Sequence, residues 1–204
     1  MNVSSGRNVE WLSLAPHAHA VQFYNHDEHL LDVLTRHIGT ALVAGDAAIT
    51  IATPAHRELL AARLLARGFD VAVPQAEGRY LAFDATETLA RFMRGGWPDR
   101  HHFEEAAGEA VDRLMAAAGR ETRIAAFGEM VALLWAGGNC EAALRLEELW
   151  NEFMKSCNLS LYCAYPMSLF HDTEAGRFLK VCAQHTCVFP AHASPAPSRL
   201  TPIS

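Results

Sequence analysis

Nowhere in this chain do lysine and arginine crowd together. The 17 basic residues are outnumbered by 23 acidic ones, for a formal charge of -6. The electrostatic footprint of a nucleic-acid binder is therefore missing, and direct DNA or RNA binding is not expected. No apolar run reaches the length needed to span a bilayer, and the polar start of the chain carries no apolar segment behind a basic one. Neither a membrane anchor nor an export signal is read, which makes the cytosol the expected compartment. The five cysteines, Cys140, Cys157, Cys163, Cys182 and Cys187, are odd in number and irregular in spacing. Without an export signal that pattern points to free thiols rather than a disulfide scaffold. The paired CxxC of zinc modules and the glycine-rich, lysine-bearing phosphate loop of nucleotide hydrolases are absent as well.

What is present is apolar and alternating. Half of the 204 residues are hydrophobic, enough for one substantial core and short for two. Apolar runs of strand length fall at 20–24, 47–52, 80–84, 123–127 and 159–164, with a weaker one at 186–189. Most are continuous rather than alternating, as suits strands covered on both faces. Between them, 27–44, 54–67, 86–94, 99–118 and 139–157 are long enough for crossover helices. Pro54 suits a first helical turn, Gly68 a C-terminal stop, and Asn139 an N-cap with Glu141 behind it. This order predicts an α/β fold with a mostly parallel central sheet flanked by helices on both faces. We expect one domain over 17–190, a flexible N-terminus at 1–16, and a disordered Pro/Ser/Ala-rich tail at 191–204.

Along 139–157, Leu146, Leu149, Trp150, Phe153, Met154 and Cys157 form one stripe, with Glu141, Arg145, Glu148, Glu152 and Lys155 opposite. Glu147 sits at the stripe's edge. It reads first as a solvated flank, since long charged side chains snorkel, and second as a group reaching a pocket.

In a parallel sheet, ligands bind beyond the carboxyl ends of the strands. Tyr24 to His26, Thr53 to His56, Asp84, Phe127 to Met130 and Tyr165 fall there. Glu129 stands out, because a lone carboxylate after a buried strand is costly unless paired, hydrated or facing a ligand. Asp84 is either its acid/base companion or the cap of the following helix. His56 and Arg57 follow a Thr-Pro helix start whose N-terminus attracts anions, although such a start is commonly only structural. His17, His26, His101 and His102 read as surface residues, whereas His19 and Gln22, beside an apolar strand, are harder to dismiss. Trp135, Trp150, Phe127, Tyr24 and Tyr165 either wall an apolar cavity or fill ordinary core. In Cys182-Ala183-Gln184-His185-Thr186-Cys187, an i, i+3 thiol and imidazole face one way, and His171 or Cys163 would have to complete a zinc site. Buried cysteines serve mostly as small apolar residues, so no metal ligand is assigned. No thiol is marked as an activated nucleophile.

The segments His19-Ala20-Val21-Gln22-Phe23-Tyr24, Gly45-Asp46-Ala47-Ala48-Ile49-Thr50-Ile51-Ala52-Thr53-Pro54-Ala55-His56, Phe83-Asp84-Ala85, Phe127-Gly128-Glu129-Met130, Leu146-Glu147-Glu148-Leu149-Trp150-Asn151 and Cys163-Ala164-Tyr165-Pro166 resemble, in this order, the MEDS domain. That is the sensory domain of methanogen and methylotroph regulators typified by the dichloromethane-responsive repressor. The resemblance implies a fold related to the RecA/KaiC-like ATPases with a degenerate phosphate loop. Thr53-Pro54-Ala55-His56 would stand in the loop's place, and Phe127-Gly128-Glu129 near the strand bearing the acidic metal-binding residue. It also implies sensing of small organic molecules, often beside histidine kinase or DNA-binding modules, for which this chain has no room.

The expectation is a non-catalytic, free-standing sensor that binds a small organic ligand through Tyr24, His56, Asp84, Glu129 and Tyr165. Its state would pass to a partner such as a histidine kinase or transcription regulator. No catalytic residue, cofactor or metal is assigned, and a homo-oligomer is left open. The alternative is a degenerate nucleotide-binding or hydrolytic enzyme that uses Glu129 as base.

Overall fold

The computed structural model describes residues 14–170 and 175–191. The expectations for 1–13 and 192–204, and for His171, lie outside them. The long apolar runs become six parallel strands: β1 (His19–Tyr24), β2 (Ala47–Ala52), β3 (Tyr80–Asp84), β6 (Ile124–Gly128), β7 (Leu159–Pro166) and β8 (Cys187–Phe189), in the order β3-β2-β6-β7-β1-β8. Two short strands, β4 (Met93–Arg94) and β5 (Trp97–Pro98), form a separate antiparallel hairpin. Register pairs Ala52 with Asp84, Ile51 with Gly128, and Tyr24 with Pro166, so the carboxyl ends align along one rim.

Side-chain alternation splits the interior into two layers. Ala20, Tyr24, Ala48, Ala52, Phe127 and Tyr162 point toward α1 (Asp27–Val43) and α2 (Pro54–Ala66). Val21, Phe23, Ile49, Ile51, Ala126, Leu161 and Tyr165 point the other way. They meet α4 (Ala85–Phe92), α5 (Arg100–Ala118), α6 (Met130–Ala136), α7 (Cys140–Phe153) and α8 (Ala175–Ala183). A one-turn helix, α3 (Ala72–Ala76), leads into β3. Burial on both faces explains why the strands read as unbroken apolar runs. Among the described residues no helix is long and apolar enough to cross a membrane. All five cysteines are unpaired.

Local chemistry sets the ends. Thr53 caps α2 through its side chain, with Pro54 as the first helical residue, and Asn139 caps α7. The helix expected at 86–94 stops at Phe92, because Met93 turns extended and Gly95-Gly96, at φ 57 and 80, closes the hairpin. Both central residues at positive φ suit a tight two-residue connection. A further difference concerns Glu147. It is fully buried, not a solvated flank, because His19, Cys163, Tyr165 and His185 close around it and the buried arc of α7 is wider than one stripe.

Candidate functional site

Strands β2 and β6 are neighbours, yet the helices that follow them pack on opposite faces of the sheet. Such a topological switch point opens a crevice at the strand ends, where α/β sheets bind ligands. Glu129 leaves β6 there, anchored by its own N–H to Ile51 O at 3.1 Å. Its carboxylate spans the crevice: Oε1 accepts the Thr53 N–H, and Oε2 lies 2.6 Å from His56 Nδ1. The opposite face of that imidazole turns to Asp27, with Nε2 3.6 Å from Oδ2. Glu129 is 5% exposed. A carboxylate thus buried requires partners of this kind.

The bond from Glu129 is the main reason the His56 imidazole stays protonated to higher pH than usual, against the opposing effect of partial burial. Tyr24, ending β1, has its hydroxyl pushed up by burial first and then by the fields of Glu129 and Asp27. Asp84 caps α4, accepting from Thr86 and Glu87 N–H at 2.9 and 3.0 Å, and also pairs with Arg57 at 3.3 Å. Of the two sequence readings of Asp84, the helix cap is what its hydrogen bonds show, while its ion pair is with Arg57 rather than an acid/base pairing with Glu129. Four of the five sequence-selected residues thus gather along the rim, two of them in direct contact.

Tyr165 lies apart. It points into the α6/α7 layer and donates its hydroxyl to Glu147 Oε1 at 2.8 Å. Glu147 belongs to a second polar group, with His19 on β1, Cys163 on β7 and His185 after α8. One ligand-type atom from each lies within 4.8 Å of all the others. His19 Nε2 is 3.3 Å from both Cys163 Sγ and Glu147 Oε2, Cys163 Sγ is 3.4 Å from Glu147 Oε2, and His185 Nε2 is 3.4 Å from Glu147 Oε1. Burial opposes ionisation of Glu147, but His185 and His19 outweigh it and hold the carboxyl well below its ordinary range. Burial, reinforced by Glu147, pushes the Cys163 thiol and Tyr165 hydroxyl far up. Of the Cys182–Cys187 stretch weighed as a metal motif, only His185 enters this group. The signals that pointed here were an imidazole in the apolar β1 run and a carboxylate at the edge of a helical stripe.

A third feature is apolar. A cavity of about 30 Å³ lies between the sheet and α4/α5, walled by Ile51, Phe83, Phe92, Phe103, Met130 and Trp150. Of the aromatics singled out in the sequence, Trp150 borders it, while Trp135 packs against Tyr165 and Phe170 at ring separations of 5.9 and 5.1 Å.

No curated protein matches the chain. The family model of the MEDS domain, the methanogen/methylotroph, DcmR sensory domain, matches residues 18–185. That span takes in five of the six strands of the main sheet, all but the edge strand β8, together with the switch-point crevice and the buried His/Cys/Glu group, and the chain belongs to this family of sensory domains.

Proposed function

We propose that this sensory domain binds a small organic molecule at the crevice between β2 and β6, with Tyr24, His56, Asp84 and Glu129 as its polar lining. The observation that carries the reading is the Glu129–His56 pair. A carboxylate and an imidazole are held across a topological switch point, joined to the start of α2 and beside the start of α1. A ligand that replaces one partner of this pair changes how three elements are tied together, and its binding energy then biases one arrangement over another. The state would be read by a separate signalling partner, such as a histidine kinase or a transcription regulator, through the exposed helices.

Against the nucleotide-hydrolysing alternative stands the position of Glu129 itself. Its carboxylate accepts from the α2 N-terminus, the place where backbone N–H groups would otherwise receive a phosphate.

Calorimetric titration with one- and two-carbon alcohols, aldehydes and carboxylates tests the proposal, alongside native mass spectrometry of protein purified from its own host. Glu129→Gln is expected to weaken binding about tenfold or more while the protein stays folded, as loss of one charge-assisted bond implies. Unaltered binding in that variant, or phosphate release from ATP and magnesium by the wild type, overturns it.

A further inference from the structure

The group formed by His19, Glu147, Cys163 and His185 has a proton problem. Asn151 Nδ2 donates to Gln184 O at 2.9 Å and Gln184 Oε1 at 3.1 Å, which fixes Asn151 Oδ1 as an acceptor. That oxygen lies 2.9 Å from His19 Nδ1, so the Nδ1 of His19 carries its proton. By the same logic His185 Nδ1 donates to Val181 O at 2.7 Å. Each imidazole in its neutral form therefore aims a bare Nε2 lone pair inward, at carboxylate oxygens 3.3 and 3.4 Å away. The side chains of His185 and Glu147 are fully enclosed, and His185 Nε2 makes no hydrogen bond. Protonating one ring pairs it with the carboxylate but leaves the other Nε2 lone pair facing inward, and protonating both leaves two imidazoliums against one carboxylate, a net buried positive charge that the interior disfavours.

A cation at the centre resolves this. We propose that His19 Nε2, His185 Nε2, Cys163 Sγ and a carboxylate oxygen of Glu147 form a four-ligand site for a divalent transition-metal ion, with zinc as the first candidate. Two neutral imidazoles, a thiolate and a carboxylate around a divalent ion sum to zero charge. Tetrahedral zinc with bonds of about 2.0 to 2.3 Å sets its ligand atoms roughly 3.3 to 3.6 Å apart. His19 Nε2, Cys163 Sγ and Glu147 Oε2 stand 3.3 to 3.4 Å from one another, and His185 Nε2, 3.4 Å from the other carboxylate oxygen, completes a set whose ligand atoms all lie within 4.8 Å. The surroundings match what such sites use to orient their ligands: each histidine donates its far N–H to a carbonyl-type oxygen, and Tyr165 donates to the carboxylate at 2.8 Å. The four ligands come from β1, α7, β7 and the segment between α8 and β8, so a bound ion would fasten the edge strand β8 and its helix to the core. Four protein ligands in an enclosed setting leave no open position, which fits a structural or regulatory ion.

The test uses untagged full-length protein. Elemental analysis is expected to find about one zinc or similar ion per chain. Chelation under reducing conditions should lower Tm by about 5–10 °C, restored by zinc. Titration of the metal-free protein with cobalt(II) should give the visible absorption of a tetrahedral site, with a thiolate-to-cobalt charge-transfer band saturating at one equivalent. Cys163→Ser should abolish that band, and Cys182→Ser should keep it. The proposal is overturned if purified protein holds no stoichiometric metal and the wild type takes up no cobalt with a thiolate band. It is equally overturned if Cys163→Ser retains the band or Cys182→Ser loses it. The wild-type titration stands whether or not a variant folds.

Discussion

The His56–Glu129 pair makes stability depend on pH in a direction fixed by the structure. His56 Nδ1 sits 2.6 Å from Glu129 Oε2, and the bond holds the imidazolium to higher pH than in an unfolded chain. A group whose pKa is raised on folding stabilises the native state fully below its unfolded value, about 6.5 for histidine. That contribution fades as pH climbs through the folded value. Asn is the informative replacement, because its amide can still donate to Glu129 but carries no charge. A hydrogen bond to a charged group contributes about 1.5–3 kcal/mol and a neutral one about 0.5–1.5, so His56→Asn should cost roughly 1 kcal/mol at pH 5.5. For a chain of this size that is a drop in Tm of about 2–4 °C. By pH 9 the gap should shrink to about half or less. Differential scanning calorimetry of both proteins across pH 5.5–9 measures it, and titrations common to the two cancel in the difference. In a Glu129→Gln background the pH dependence of the gap should shrink to the smaller part that Asp27 supplies. A gap that stays constant or widens with rising pH would refute the charge-assisted bond.

Two further outcomes concern packing. Phe103 meets Phe92, Trp150 and Phe153 edge-on at ring separations of 5.4, 4.9 and 6.0 Å, so Phe103→Ala should cost about 3–5 kcal/mol in urea unfolding. A loss under about 1 kcal/mol would mean that α5 is not packed as described. Gly39 lies inside α1, where alanine is favoured by about 1 kcal/mol on propensity, yet a Cβ there would come within 2.9, 3.0 and 3.2 Å of three Phe69 ring atoms. Gly39→Ala should therefore lower Tm by about 2–4 °C, and a rise would show that the Phe69 ring swings aside freely.

The sheet was legible because each strand is apolar on both faces and bounded by caps or glycine. Strands β2 and β3 match the expected bounds, β6 is shifted by one residue, and β1, β7 and β8 differ by one or two residues at one end. Helix α6 was not legible, since Met130-Val131-Ala132-Leu133-Leu134-Trp135 is apolar almost all round and shows no stripe. Helix α8 and the β4–β5 hairpin are too short to impose a period. At the rim, Glu129 and His56 were visible because both follow strands, and parallel strands place their successors side by side. Tyr165 follows the same rule but falls on the other face by alternation, a parity that depends on register rather than composition. The buried group was visible only in pieces: His19 as an odd residue in an apolar run, Glu147 as an edge position, and His185 and Cys163 as zinc ligands weighed and set aside. What joins them is the crossing of α7 over β7 and β1, which no local pattern encodes.

The strand β1 connects the two polar groups, and its geometry limits how they can influence each other. His19 at its amino end faces α7, while Tyr24 at its carboxyl end faces α1. Five residues of strand separate them, about 17 Å at 3.3 Å per residue. Over that distance, through a packed sheet and to opposite faces of it, direct charge–charge interaction is weak beside the short contacts within each group. Mechanical coupling is not weak. All six residues of β1 are buried, and the strand is hydrogen-bonded on both sides, to β7 and β8, so it moves as a body or not at all. Whatever fixes His19 therefore also fixes the backbone from which Tyr24 reaches the Glu129–His56 crevice. Any influence of the buried group on the rim is therefore expected to travel through the β1 backbone rather than through charge.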